Sequence, residues 1–374
     1  MNGNIRIGQL FGIPFYVNPS WFLVLGLFTW SYGSGIAAQF PALAGGVPLL
    51  LGLMTALLLF GSVLAHELGH SFVALRQGIG VQSITLFLFG GLASLENESK
   101  TPGEAFWVAI AGPIVSLLLF GLLSILALGT GATTPLTAIL SLLASVNLAL
   151  ALFNLIPGLP LDGGNILKAL VWKVTGNPYK GVVFASRVGQ LFGWVAIASG
   201  LLPIVLSGSF GSVWNLLIGV FLLQNASRAG QSARIQEQFT GLTAADAVTP
   251  NSPIVSAQLS IREFADQQIL SRDTWRKFLV TNADGQLVGE IAVDALQIIP
   301  VERWADLQIQ ALMKPIEPSL TVESYQPLLE VAKMLEEKKL PTLTVVRDNG
   351  ILVGILEKAS IQKLLQRRTQ ATPA

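Results

Sequence analysis

A polytopic α-helical membrane domain of about six transmembrane helices with short membrane-associated β strands, followed by a soluble α/β tandem-repeat domain, is the fold class this sequence predicts. Three observations predict it. Only 12% of the 374 residues are charged against 52% apolar, with a mean hydropathy of +0.61, whereas an ordinary soluble chain is about 25% charged. The charges are segregated: up to Arg234 the chain holds 9 basic and 5 acidic residues, and beyond it 14 and 17. The charge-rich part then repeats itself without gaps, so that Gly285 recurs as Gly350. A net charge of +1 with no basic stripe argues against nucleic acid as a partner. With no cysteine, disulfides, thiolate catalysis and thiolate metal sites are excluded, so a metal would need histidine and carboxylate ligands.

Residues 1–19 lack the charged start, apolar stretch and cleavage site of a signal peptide. Within them, residues 5–17 are short, partly alternating and broken by Gly and Pro, which predicts strand rather than span. No Asp, Glu, Lys, Arg or His lies between Arg6 and His66, between Glu104 and Asp162, or between Arg187 and Arg228. A helix needs roughly 20 apolar residues to cross the hydrocarbon core, and these gaps accommodate spans near 20–42, 47–75, 104–128, 136–156, 183–206 and 211–227. Residues 81–94 (VQSITLFLFGGLAS) form a second β-prone run, ending in Gly90-Gly91. Non-helical backbone at membrane depth needs protein or water around it, so both runs are expected as interfacial strands or a re-entrant hairpin beside a cavity. An unpaired edge there could bind an extended peptide. The turns near Gly33, 129–135 and 203–211 carry no Lys or Arg, whereas Arg6, Arg76, Lys100, Lys168, Arg187 and Arg228 fall on the opposite side. The expectation is a multi-pass integral protein of a prokaryotic cell membrane, with the lipid bilayer as partner and both termini cytoplasmic.

The only two histidines, His66 and His70, flank Glu67 in His-Glu-Leu-Gly-His inside the second span. At i and i+4 both imidazoles project from one helical face and can share a metal, while Glu67 can take a proton from the attacking water. A charged residue at membrane depth costs at least ~2.5 kcal/mol and persists mainly where it works. A catalytic zinc takes three protein ligands, and here the third must be a carboxylate: Asp162, Glu96, Glu98 or Glu104. Asp162 alone directly follows a long uncharged span, within Asn-Leu-Ile-Pro-Gly-Leu-Pro-Leu-Asp-Gly-Gly from Asn154 to Gly164, whose prolines and glycines unwind the helix end and let a short carboxylate turn inward. It is the favoured ligand. The alternative is that Asp162 only caps a following helix over 163–174.

At this point the residues resemble the site-2 protease-type intramembrane zinc metalloproteases. His66 to His70 matches the family's zinc helix, and residues 154–164 resemble its second signature. Phe89-Gly90-Gly91, Ala111-Gly112-Pro113, Gly12-Ile13-Pro14 and Trp21 are weaker landmarks, and the similarity spans roughly residues 5–228. Ser116 departs from the Asn that many relatives have there. The resemblance implies one Zn2+ per chain on His66, His70 and Asp162, Glu67 as general base, and Asn154 as a substrate or oxyanion contact. It also implies regulated cleavage of membrane-protein substrate helices. Asn154 could instead join two helices by a hydrogen bond.

Composition shifts after Arg228, so the expected domains are 1–228, a polar linker over 229–242, and a repeat pair over 243–374 with copies at about 243–307 and 308–372. Pro250 and Pro253 align with Pro315 and Pro318, Gly285 with Gly350, Leu287-Val288-Gly289 with Leu352-Val353-Gly354, and Ile291 with Leu356. Each copy reads as strand, amphipathic helix (261–270; 326–338), strand, Gly turn, strand, helix. This resembles a tandem pair of cystathionine-β-synthase-type (CBS) domains, a module that often binds adenosine nucleotides. The family's Ser/Thr and Asp positions hold Ala292 and Ala295 in one copy and Glu357 and Ser360 in the other, with Asp294 displaced by one. Those departures count against an adenine nucleotide and favour a purely structural pair or one that forms a homodimer; the expected role is a cytoplasmic regulatory or dimerising module. Two rival readings are a CBS-regulated transporter or channel, which has no use for the His-Glu-His set, and a catalytically dead scaffold.

Overall fold

Two short strands open the chain. β1 (Ile5–Leu10) and β2 (Ile13–Val17) form an antiparallel hairpin closed by Phe11 and Gly12, whose φ values of 53° and 82° suit a two-residue turn with both central residues left-handed. The computed structural model describes residues 3–87, 90–131, 134–271, 275–317 and 320–371. Phe89 and Pro318 lie outside the described residues. By its contacts the chain divides into two compact units, Met1–Arg234 and Ile235–Ala374.

In the first unit α1 (Ser20–Gln39) and α2 (Val47–Arg76) lead to β3 (Val81–Phe87) and β4 (Gly90–Leu95), then α3 (Pro102–Gly129), α4 (Pro135–Asn154), α5 (Asp162–Thr175), α6 (Pro178–Ser207) and, after a 3-10 turn at Phe210–Ser212, α7 (Val213–Phe239). Gly33, expected near a turn, lies inside α1, where its bare Cα lets the Pro48 and Leu49 backbone of α2 approach. Proline in the first turn starts α2, α3, α4 and α6, where its missing N–H costs nothing. Thr101, Thr134 and Asn177 then cap α3, α4 and α6 through their side-chain oxygens. Among the described residues six helices are long and apolar enough to cross a membrane, all but α5. Large apolar side chains such as Leu118, Ile125, Leu128 and Leu206 point outward from them; on helices of this length and composition such a surface suits lipid. The two strand pairs join in one mixed sheet of order β1-β2-β3-β4, with β2 and β3 parallel and β3 and β4 antiparallel. Val17 and Leu86 of this sheet bury against Trp21, Val24 and Phe60 of α1 and α2, which leaves β4 at the sheet's edge.

The stretch 229–242, expected as a linker, continues α7 as helix to Phe239. Its run of Arg, Gln, Ala and Glu favours helix, and the chain turns only near Gly241, whose φ is +74°.

The second unit holds β5 (Ile254–Ser256), α8 (Ile261–Ser271), β6 (Lys277–Thr281), β7 (Leu287–Ala292), β8 (Thr321–Glu323), α9 (Leu328–Glu337), β9 (Thr342–Val346), β10 (Leu352–Glu357) and α10 (Lys358–Ala371). Two three-stranded sheets, β5-β6-β7 and β8-β9-β10, repeat the same mixed topology. The copies exchange their leading segments. Ala244 and Ala247 sit in the core of the second copy with Val331 and Leu343, while Ile309 sits in the core of the first with Phe264 and Val280. The backbone bonds are reciprocal: Leu328 N–H donates to the Leu242 carbonyl as Ile261 N–H does to Leu307, and Leu352 donates to Gly285 as Leu287 does to Gly350. Each copy was expected to close with a helix. The second closes with α10, whereas the first has only a 3-10 helix at Val293–Ile298, because Pro300 restricts the residue before it and stops the α-helix from continuing.

Candidate metal centre

The site is built from α2, α3, the loop after α4, and the edge strand β4. On α2 one helical turn separates His66 and His70, and their Nε2 atoms lie 3.3 Å apart. Both rings are oriented from behind. His66 Nδ1 lies 2.9 Å from the hydroxyl of Ser116 on α3, which is fully buried, and His70 Nδ1 lies 2.6 Å from the Val108 carbonyl of the same helix. A carbonyl only accepts, so His70 carries its proton on Nδ1 and directs the Nε2 lone pair into the site; a Ser116 that accepts from Nδ1 does the same for His66.

Asp162 completes the set. Its Oδ2 lies 3.1 Å from His66 Nε2 and 3.3 Å from His70 Nε2. The loop that brings it there folds on itself more tightly than side chains would allow. Gly158 and Gly189 of α6 meet at backbone distance, a Cβ at 2.6 Å from its neighbour, and Gly163 and Gly164 abut the backbone of residues 155–159. Leu159 N–H donates to the Ala185 carbonyl, which ties the loop to α6. Leu161 holds the capping position of α5 and Asp162 is the helix's first residue, one place beyond where the capping alternative needs it. The other carboxylates have other partners than the histidines. Glu104 forms the capping box of α3 with Thr101, Glu98 is exposed and pairs with Lys168 at 3.4 Å, and Glu96 is exposed and folded over Gly80. Among the described residues the one group able to hold a metal is His66, His70 and Asp162, whose ligand atoms all lie within 4.8 Å of one another. Two neutral imidazole nitrogens and one carboxylate oxygen fit zinc with a position left open.

Glu67 lies beside this group at the edge of β4. A Cβ on Gly91 would come within 2.5 Å of Glu67 Cγ. His66, Glu67, His70, Asn154 and Asp162 line one cleft of about 360 Å³, together with Glu98, Asn165, Lys168 and Trp172. Asn154, the last residue of α4, thus borders the cleft. A hydrogen bond that joins α4 to α2 is made by Asn147, earlier on α4, which donates to Ser62 at 3.0 Å.

Two contributors carried no role in the sequence reading. Gly112 presents a bare Cα to the metal group, where a Cβ would overlap Nε2 of both histidines. Ser116 backs His66. Their only signal was the Ala-Gly-Pro landmark and the departure from Asn.

Comparison with known proteins agrees with this chemistry. The model of Peptidase family M50 matches residues 54–132 and 119–196, and that of the CBS domain matches residues 309–367. A putative zinc metalloprotease of Synechocystis sp. is 58% identical over 366 residues, 98% of this chain and 96% of the relative. The putative zinc metalloprotease Rip3 of Mycobacterium tuberculosis is 33% identical over 380 residues, 100% of this chain and 95% of the relative. Among solved structures, the site-2 protease from Methanocaldococcus jannaschii is 28% identical, with a TM-score of 0.44, over 61% of this chain and 95% of that one. Two histidines and an aspartate converging beside a glutamate, in a chain matched over nearly its whole length by zinc metalloproteases, make this protein a member of peptidase family M50: a zinc metalloendopeptidase of the site-2 protease type, with a C-terminal CBS domain.

Proposed function

We propose that this protease hydrolyses peptide bonds within the membrane-spanning segments of membrane-protein substrates, with His66, His70 and Asp162 holding one Zn2+, Glu67 as general base and Asn154 as oxyanion contact. The observation that carries it is the convergence of the three ligand atoms within 4.8 Å in the cleft that Glu67 and Asn154 also line. Bound zinc supplies Lewis acidity, which acidifies the attacking water and polarises the scissile carbonyl. Glu67 accepts the water's proton on a carboxylate oxygen and delivers it to the leaving amine nitrogen. The side-chain amide of Asn154 donates to the oxygen that becomes negative as the carbonyl carbon turns tetrahedral. β4, unpaired on its outer side and next to Glu67, suits an extended substrate segment added as a further strand.

The remaining assignments rest on charge and composition. Both termini face the cytoplasm of a prokaryotic cell, because the basic residues cluster at one set of helix ends. The CBS pair regulates or dimerises the protease and binds adenine nucleotide weakly or not at all. Glu67→Gln tests the central assignment: the amide keeps the shape but cannot take a proton, so zinc content should stay near one per chain while cleavage falls by at least about 1000-fold. Membrane proteomes of cells carrying this variant should accumulate the uncleaved substrate. A zinc-loaded variant with near-normal cleavage would remove Glu67 from the mechanism.

A further inference from the structure

α6 and α7 run antiparallel as a hairpin whose arms touch at glycines. Gly200 meets Leu216, Gly193 meets Leu223 and Gly230 meets Ser186, each so closely that a Cβ would find a neighbour at 2.5–3.1 Å. Between Arg187 and Arg228 neither arm carries a charge. Because the arms are antiparallel, these two residues mark the same level at the open end of the hairpin, where hydrocarbon gives way to headgroups.

At that level the arms enclose a cavity of about 260 Å³ lined by Arg187, Gln190, Ser186, Ser227, Gln231 and Arg234 together with Val183 and Gly230. None of the lining residues is acidic. Neither guanidinium pairs with a carboxylate among the described residues. Ser186, 1% exposed, leaves its buried hydroxyl without a partner in the wall, a cost that a ligand or water would offset. Planar guanidinium forks match phosphate oxygens two at a time, and basic pockets between helices at this depth suit lipid headgroups. On α6, Leu191, Trp194 and Val195 continue the face of Arg187 at i+4, i+7 and i+8 and are each more than half exposed. A free phosphate has no use for that apolar strip. An acyl chain does.

We propose that this cavity is a binding site for the phosphate of an anionic phospholipid, gripped by Arg187 and Arg234 with Gln190 and Gln231, its acyl chains lying along the apolar face of α6. The site is independent of the catalytic reading, so the zinc content of each variant serves as a check that the fold is intact. Full-length protein in neutral detergent is offered phosphatidylglycerol, phosphatidylcholine or inorganic phosphate, and retained lipid is read by native mass spectrometry. Wild type should keep about one phosphatidylglycerol and no phosphatidylcholine, and inorganic phosphate at equal concentration should not displace it. Arg187→Gln/Arg234→Gln should weaken retention about 25-fold, about fivefold for each charge, while Lys173→Gln/Lys180→Gln, which removes equal charge outside the cavity, should not. If the Gln pair loses zinc, Arg187→Lys/Arg234→Lys is used instead; it keeps the charge without the fork and should weaken retention about fivefold. Undiminished retention in the intact Arg variants, equal loss in the Lys control, or displacement by inorganic phosphate would each overturn the proposal.

Discussion

His66 and His70 can serve a metal only if Nε2, rather than Nδ1, is the free nitrogen, and that is decided on α3. Ser116 and the Val108 carbonyl occupy the Nδ1 positions, so removing the hydroxyl in Ser116→Ala frees the His66 ring to turn. Metal partners of this kind are worth about 10–100-fold in affinity. Competition with a chelator should therefore show zinc held about 10–100-fold more weakly in Ser116→Ala and near normally in Ser116→Thr, which keeps a hydroxyl; equal loss in both would mean that packing matters rather than the hydrogen bond. Gly112→Ala places a methyl group on both Nε2 atoms and should cost more, at least about 100-fold, in protein whose circular dichroism stays helical. Asp162→Ala should lose zinc where Glu98→Gln keeps it, as elemental analysis will show. His66, Glu67 and His70 were legible because their chemistry depends on spacing along one helix. Asp162 was legible as a carboxylate in a Gly/Pro-broken turn. Gly112 and Ser116 were not, because they act across a helix interface, one by leaving space for the imidazoles and the other by backing one of them, and no spacing along the chain marks such a role.

Helical order in a substrate and strand order in the enzyme compete for the same backbone groups. A hydrogen-bonded helix shields its carbonyls, while among the described residues β4 is an edge strand beside Glu67, so on the proposed function a helical substrate would have to unwind locally before it could lie along that edge. If unwinding precedes the chemical step, a Gly replacing Ala near the cut lowers its cost by about 1 kcal/mol and should raise the cleavage rate about fivefold; Leu- or Ala-rich stretches should slow it. Rates unmoved by both changes would show that substrates are not presented as strands. The two β-prone runs were readable from their alternation and glycines, but the pairing of β2 with β3, which leaves β4 at the edge, joins segments separated by the whole of α1 and α2 and leaves no local trace. The continuation of α7 through 229–239 was hidden for a different reason: polar composition marks where lipid ends, and helix does not end there.

Two units with different physics share this chain, one stabilised by lipid around apolar helices and one by buried apolar cores of its own, and the repeat that builds the second was visible because glycines and prolines recur at fixed spacing. The exchange of leading segments between the copies was not visible, since the repeat spacing is the same whether each copy folds on itself or on its twin. Among the described residues the one group able to hold a metal lies in the first unit, which is compatible with the proposed regulatory or dimerising role of the second. At the positions where the sequence departs from the family's nucleotide pattern, Ala292 and Ala295 offer no side-chain oxygen, Ser360 has its hydroxyl bonded to the Glu357 backbone, and Asp294 is exposed on a 3-10 helix. Removing residues 243–374 cuts the chain after α7 and Gly241, so the spans and the metal group stay whole. The truncated protein should bind zinc and keep a basal cleavage rate, because the metal group lies wholly within the first unit, while its oligomeric state or its rate control changes. ATP should leave the unfolding midpoint and cleavage rate of the full chain unmoved. Loss of all cleavage in a folded, zinc-loaded truncation would make the CBS pair part of the catalytic machinery, and a saturable ATP response would mean that residues outside the family's usual positions hold the nucleotide.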